Sequence, residues 1–468
     1  MDNFDRKLKD IGKNEVWEIP KEIDDNISKL LEDLDKPSTA RHRPLKVSIL
    51  VAAISALTLT TAFAVGHIID YFNINKDSSY ISTKDELIEL GTNVGLSTTD
   101  KNIEFTIDSI SADDNYINIF YTLKSDKNIK EINEHYEEPF FARPFLNIKV
   151  DGKEIWETTG IEGEAKYVSD KELKCVRRLN ISHEEVKNKF DITVYTNEIF
   201  EQKGNWEIST KIDKTEAVKT TKKYEVDKDF AVKRIYKHND KDTTLNHKLS
   251  IDKVIISPLA SQLVVNEEIM DMDDDWQPSI DYGFALFDQD GEYLEVIDKG
   301  LSMPASGTMT TSYEFIRGNK DITSLKYVPV QYSEESSTYD LEAKDIDKLP
   351  MEFEVSEDGK WIIEDIEFKD NEIVITGYKE GFVRDSLVLD VMICDKNGET
   401  FDFDINKAPL VTNTIDRNTR KQICRITFKD KYKEEMNRVK KIKMSKSNEF
   451  ELLEDQAVEI DLTNAKKN

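Results

Sequence analysis

The chain is poor in the residues from which catalytic and metal sites are usually assembled. Its 468 residues include only three cysteines and six histidines. The cysteines, Cys175, Cys394 and Cys424, form no CxxC pair and no Cys/His cluster at zinc spacing. The histidines, at 42, 67, 135, 183, 238 and 247, are scattered without ligand spacing. Glycine is sparse too, at 17 residues, and none builds a phosphate loop or a dinucleotide fingerprint. GxSxG and HExxH are absent. The expectation is a protein that is not an enzyme and takes no metal and no cofactor.

Basic charge is also in deficit. Lys and Arg total 65 against 93 Asp and Glu, a net charge of −28, so nucleic acid is excluded as a partner. Such acidity suits a well-solvated surface. The one dense carboxylate cluster, Asp271, Asp273, Asp274 and Asp275, lacks the glycine and glutamate of a calcium loop and reads as a solvated acidic loop. Asp288-Gln289-Asp290-Gly291 reads as a hairpin turn. With three cysteines at most one intrachain disulfide can form. Cys394 and Cys424 share the C-terminal region and can pair, or can equally be two buried thiols.

One long apolar run stands out against this charged background. Val47 to Gly66 (VSILVAAISALTLTTAFAVG) carries no charge and continues through Ile68 and Ile69 after His67. About 20 apolar residues suffice to cross a bilayer, so a transmembrane helix is expected over residues 45–69. Arg41, Arg43 and Lys46 flank its N-terminal edge and place the N-terminus in the cytoplasm. Tyr71 and Phe72 sit where an interfacial aromatic belt falls. Ala62-Phe63-Ala64 looks like a signal-peptidase site, but a leader of some forty residues with its own helical pattern argues for an anchor. The expected location is the cell membrane, single-pass, with the C-terminal domains outside the cytoplasm.

Residues 1–44 read as a short cytoplasmic helical segment. Phe4, Leu8 and Ile11 form one turn, and Gly12 ends it. Ile23, Ile27, Leu30, Leu31 and Leu34 then fall at i, i+4, i+7, i+8 and i+11, a single apolar stripe, with Trp17 just ahead of it. Pro20 opens this helix and Pro37 ends it. Its polar face is mainly acidic, which favours a protein groove over a lipid surface, so these six residues are the expected partner-binding set.

Beyond the apolar run the period changes to two. Residues 70–222 read as a juxtamembrane helix and a first β domain, with strands FTIDSI (Phe105 to Ile110), YINIFYTL, FLNIKV, FDITVYT and NWEISTKI. The pattern recurs. LSIDKV (Leu249 to Val254) opens a second β domain over 223–350, and WIIEDI (Trp361 to Ile366) a third over 351–468. Each unit carries an Asp-Gly or Asn-Gly hairpin, at Gly152, Gly291 and Gly398. Each closes on an alternating strand, WEISTKI, SLKYVPV and VKKIKMS. Units of about 120 residues fit the immunoglobulin-like sandwich. The expected fold is mainly β: a cytoplasmic helical segment, one transmembrane helix, then two to three immunoglobulin-like sandwiches.

These stretches resemble a known family. The WEIPKEIDDNISKLLEDL helix, the Ala-rich run and KNIEFTIDSISADDNYINIFYTLKSD (Lys101 to Asp126) are similar to the membrane-anchored proteins of Gram-positive bacteria grouped as domain of unknown function 4179. LSIDKVIISPLASQLVV (Leu249 to Val265) with ITSLKYVPV (Ile322 to Val330) resembles the immunoglobulin-like domain of unknown function 5643 that often follows it. Together they cover most of residues 16–350. Some members resemble anti-sigma factors, although the leader here lacks their zinc-binding His/Cys motif. The implied function is an anti-sigma-like regulator whose leader holds a cytoplasmic partner, an extracytoplasmic-function sigma factor, while the β domains sense an extracellular ligand of unknown identity. The alternative is an anchored cell-surface binding or structural sandwich protein.

Overall fold

The computed structural model describes residues 62–76, 78–155, 163–238, 241–270, 283–302, 309–333, 337–383, 389–401, 403 and 408–464. Three β-sandwiches and a short helical collar make up this part of the chain.

The collar corrects one expectation. Among the described residues no helix is long and apolar enough to cross a membrane, which overturns the transmembrane helix expected over 45–69. The helix found there, α1 (Ala62–Ile74), has 13 residues and extends past Gly66 into charged sequence at Asp70. The physical reason lies in its buried face. Ile68, Tyr71 and Phe72, spaced i, i+3 and i+4, are at most 2% exposed and pack on Phe120 and Val176 of the first sandwich. The apolar residues at the end of the run therefore fill a protein core. Residues 47–61 lie outside the described residues.

A second short helix, α2 (Lys84–Glu89), completes the collar, with Leu87 buried and Ser111 Oγ donating to Leu87 O at 2.6 Å. The first sandwich follows. β1 (Gly91–Asp100), β2 (Ile103–Ala112) and β3 (Tyr116–Ser125) form a meander, and the chain then crosses to β4 (Asn147–Val150) and β5 (Lys153–Ile155). It returns for β6 (Gly163–Ser169) and β7 (Glu172–Asn180), and crosses again for β8 (Lys189–Ile199) and β9 (Gln202–Asp213). The sheet orders are β1-β2-β3-β7-β6 and β5-β4-β8-β9. With β1 set aside, this is the A-B-E-D and C′-C-F-G order of an immunoglobulin-like Greek key. Alternation drives it: along β8 the buried Phe190, Ile192 and Val194 face Phe105, Ile107 and Leu173 across the core. Trp206 is fully buried and donates Nε1–H to Ile103 O at 2.9 Å.

After α3 (Thr215–Thr220) the second sandwich repeats the order. β10 (Lys222–His238), β11 (Lys241–Ile256), β12 (Ser261–Met270), β15 (Met309–Ile316) and β14 (Tyr293–Ser302) lie side by side, and β13 (Phe284–Asp288) bridges β14 to β16 (Ser324–Tyr332). β14 serves both layers, pairing β13 near Leu294 and β15 from Glu295 onward. Two glutamines cover the outer edge of β10. Gln456 bonds the N–H and C=O of Lys233, and Gln331 those of Ile235, much as a neighbouring strand would.

The third sandwich has β19 (Met351–Phe353), β20 (Gly359–Lys369), β21 (Glu372–Gly381), β24 (Gln422–Thr427) and β23 (Leu410–Ile415) in one sheet. Opposite lie β22 (Met392–Cys394), β25 (Lys441–Lys443) and β18 (Lys344–Asp345).

Here the chain does something a linear string of domains does not. The strand beside β16 that completes the second sandwich is β28 (Val458–Asp461), from the far end of the sequence. The strand in the matching position of the third sandwich is β18, which precedes that sandwich. Between them β17 (Thr338–Asp340) pairs β26 (Ser445–Ser447), and β27 (Phe450–Leu452) pairs the end of β16. Residues 324–333 and 337–345 thus run antiparallel to residues 441–461 through both sandwiches, and each sandwich lends the other its last strand. Residues 450–462 belong to the second core, where Val458, Ile460 and Leu462 are buried.

Candidate functional site

The most elaborate polar chemistry among the described residues lies where the sandwiches meet. It begins at the β2–β3 turn, Asp113-Asp114-Asn115. Asp113 Oδ1 accepts from the backbone N–H groups of Asn115 (2.7 Å) and Tyr116 (2.9 Å), which shapes the turn. Its Oδ2 reaches the second sandwich, accepting from Ser257 Oγ (2.6 Å) and Leu259 N (2.9 Å). Burial pushes the Asp113 carboxyl above its ordinary range, and these hydrogen bonds, led by that from Ser257, pull it back. Asn115 Nδ2 donates to Ser257 Oγ (2.8 Å) and Ala260 O (3.0 Å) in the same β11–β12 turn. Lys214, 2% exposed, pairs with Asp114.

One strand position over, Glu314 of β15 gathers groups from all three sandwiches. It is 1% exposed. Arg178 of the first sandwich binds it through Nη1 (2.7 Å) and Nη2 (3.3 Å), and Tyr116 Oη donates at 2.8 Å. Arg417 of the third sandwich donates to its other oxygen. The Arg178 guanidinium lies 3.4 Å from the Tyr116 ring centre and 5.4 Å from that of Tyr80 in the collar. The same turn of the third sandwich touches the collar, with Arg417 N donating to Ser82 Oγ and Asn418 Nδ2 to Ser82 O. A buried carboxylate is tolerated only when paired and fully hydrogen-bonded, and here its partners come from different domains.

A third carboxylate locks the collar itself. Glu164, at the start of β6, accepts from Tyr71 Oη (3.1 Å), Asn75 Nδ2 (2.9 Å), Ser79 N (2.7 Å) and Ser79 Oγ (2.5 Å). Burial and then the Glu164 charge hold the Tyr71 phenol well above its usual range, so it stays a donor. Charge-assisted hydrogen bonds are worth about 1.5–3 kcal/mol. Glu164→Ala is therefore expected to cost about 2–3 kcal/mol locally. Amide hydrogen exchange over residues 68–83 should speed up while β2 and β3 stay protected, and unchanged exchange there would show that the apolar face alone holds α1.

Burial pushes the Cys175 and Cys424 thiols up to about 12, so neither offers a thiolate at neutral pH. Cys394 and Cys424 are free and buried, on opposite sheets of the third sandwich. Among the described residues no cluster of His, Cys, Asp and Glu could hold a metal ion.

The residues singled out from the sequence are placed as follows. Trp17, Ile23, Ile27, Leu30, Leu31, Leu34 and Val47 lie outside the described residues, as do Asp271 and Asp273 to Asp275. Gly66 is exposed on α1, with nothing within 4 Å of where a Cβ would be. Gly291 closes the β13–β14 hairpin with φ +76. Sequence reading passed over Glu164, Asp113, Arg178, Glu314 and Arg417, since each sits in an ordinary polar position of a strand or turn.

An array of immunoglobulin-like sandwiches joined by buried carboxylates is the class of protein that this geometry defines. Residues 40–125 match the family model described as Domain of unknown function (DUF4179), and residues 233–356 match Family of unknown function (DUF5643). The first match takes in α1, the collar and β1–β3; the second runs from β10 through β19 and stops before the returning strands. No curated protein matches the chain. Among solved structures, a conserved domain protein from Bacillus anthracis is similar, with 16% identity, 54% of this chain and 82% of that one covered, and a TM-score of 0.36.

Proposed function

We propose that the chain is a noncatalytic regulatory protein, anti-sigma-factor-like, whose leader grips a sigma factor and whose sandwiches govern that grip. The observation that supports this reading is the Glu314 junction: one buried carboxylate ties the three sandwiches and, through Tyr80 and Ser82, the collar that leads back towards the leader. Event and grip can be coupled only if an outside event favours one arrangement of this joined body over another. A body held at one node responds as a unit, which is what such coupling needs. Trp17, Ile23, Ile27, Leu30, Leu31 and Leu34 would occupy an apolar groove of the partner as an amphipathic helix does.

The test is co-purification of the full chain with the sigma factors of its own cell. Stoichiometric recovery of one, lost in Ile27→Asp/Leu31→Asp, is the expected result. A charge on an apolar face that must be buried costs several kcal/mol, so binding should fall at least about a hundredfold. Capture that survives the double substitution would remove the leader from the mechanism. A structural, surface-displayed role is the second reading, favoured by the strand exchange between the second and third sandwiches. It predicts that replacing residues 1–38 changes no partner.

A further inference from the structure

The outer strands of a sheet offer unpaired N–H and C=O groups to other chains, and folds blunt them with charge, bulges, short length or a cover. The fifth strand of each sandwich, β6, β14 and β23, shows the contrast. β6 carries Glu164 and Lys166 and is bulged between Tyr167 and Ser169. β14 is bulged between Val296 and Asp298 and pairs β13 at its start. β23 has none of these devices. Its six residues, Leu410–Ile415 (LVTNTI), carry no charge, and its register with β24 runs without a shift. Pro409 stands before its first residue. Elsewhere β1 and β9 bear charges and register shifts, glutamines cover β10, and β5, β19 and β22 have three residues each. Among the described residues β23 is the one outer strand longer than four residues that is both uncharged and unbulged.

The strand is open in its backbone as well. Asp416, one residue past it, donates its N–H to Lys421 O at 2.8 Å. Antiparallel pairs alternate, so Leu410, Thr412 and Thr414 bond β24, while Val411, Asn413 and Ile415 turn N–H and C=O away from it. Those outward groups meet no hydrogen-bond partner among the described residues. The core layer also stops short here. Ile373, Ile426 and Val411 lie side by side across β21, β24 and β23, with exposures of 1%, 2% and 51%.

We propose that β23 pairs with β23 of a second copy of this chain, antiparallel about a two-fold axis through Asn413. Charge singles out a second copy. In two-fold pairing each side chain near the axis meets itself or a near neighbour, so any charge there would face its like. The chain is 34% charged, yet residues 408–415 carry no charge at all. A strand built for a foreign partner gains specificity from complementary charge and has no reason to shed it.

This register sets Asn413 against itself, Val411 against Ile415 and Thr412 against Thr414. Aliphatic meets aliphatic and hydroxyl meets hydroxyl, pairs that stabilise neighbouring strands. Val411, Asn413 and Ile415 then exchange about six backbone hydrogen bonds across the axis. Two copies at net charge −28 repel elsewhere, so the dimer should tighten as salt rises. The pairing is independent of what the leader holds.

Sedimentation of the full chain over a concentration series tests it. A monomer–dimer equilibrium that strengthens with sodium chloride is expected. Val411→Lys, at an exposed position, sets a charge against the copy's Ile415 and should weaken the dimer at least about tenfold. Val411→Pro removes one outward N–H, leaves the bonds to β24 in place and should act likewise. Asn413→Cys gives a positive signal that no folding defect can mimic. Across the axis it should form an intermolecular disulfide under a mild oxidant, whereas Leu410→Cys, about 20 Å from its mate, should not. The native cysteines are buried and do not compete. A chain that stays monomeric at every concentration, a dimer that salt dissolves or both Val411 variants leave intact, or cross-linking at Leu410 in place of Asn413 overturns the assignment.

Discussion

Glu314→Gln lowers the stability of the joined sandwiches by about 3–5 kcal/mol, the usual cost of removing one member of a buried ion pair. The size follows from what is left behind. Arg178 and Arg417 are 5% and 11% exposed at the side chain and both lose this carboxylate. A glutamine amide can still accept from Tyr116, but it offers one acceptor oxygen where two served three donor residues. Urea denaturation checks the value, and the shape of the curve carries more than the midpoint. With the node intact the sandwiches should unfold together; without it the first should separate from the second and third, which their exchanged strands still join. The contrast is Glu292→Gln, which breaks only solvent-exposed pairs to Lys320 and Arg420 and should leave the midpoint nearly unchanged. A Glu314→Gln curve that superimposes on the parent would mean that apolar contacts, such as Leu259 against the collar, carry the joint.

Much of the β architecture is legible in short repeated stretches. FTIDSI, LSIDKV and WIIEDI fall in β2, β11 and β20, the same strand of each sandwich. Each is bulged at its central acidic residue, with register shifts between Ile107 and Ser109, Ile251 and Lys253, and Ile363 and Asp365. The likeness of three six-residue stretches thus reflects one local geometry used three times. The hairpin glycines are equally readable, for Gly152, Gly291 and Gly398 take φ of +80, +76 and +86, the first in a two-residue turn and the other two closing three-residue loops. Apolarity misled at α1. A run rich in Ile, Ala and Val satisfies a bilayer or a protein groove alike, and only the i, i+3, i+4 set Ile68, Tyr71 and Phe72 hints at a one-sided partner. The junction left no trace in the sequence because Glu314 and Arg178 occupy ordinary polar strand positions. Strand pairing has no signature for a partner a hundred residues away, so the exchange of last strands was not readable either.

Truncation after Ser447 puts that exchange to the sharpest test, because it should unfold the second sandwich and spare the third. The removed segment contains β27 and β28, and with them Val458, Ile460 and Leu462, which are 8%, 1% and 2% exposed in the second core. At about 1.5–3 kcal/mol for each buried aliphatic side chain, the loss is roughly 5–9 kcal/mol. A whole domain holds only about 5–15 kcal/mol. Loss of β28 also bares the hydrogen-bonding edge of β16 from Ser324 to Tyr327, and an uncovered central strand invites pairing with other chains. The third sandwich keeps every strand of its own sheets, since β17 to β26 all precede the cut. Hydrogen exchange should therefore show lost protection in β12, β15 and β16 and retained protection in β20, β21 and β24. A linear arrangement makes the reverse prediction, with damage confined to the third sandwich where the cut falls in sequence. Adding residues 448–468 as a separate peptide should restore protection in β16, and the same peptide with Ile460→Asp should not, because a charge cannot take the place of a side chain buried between two sheets.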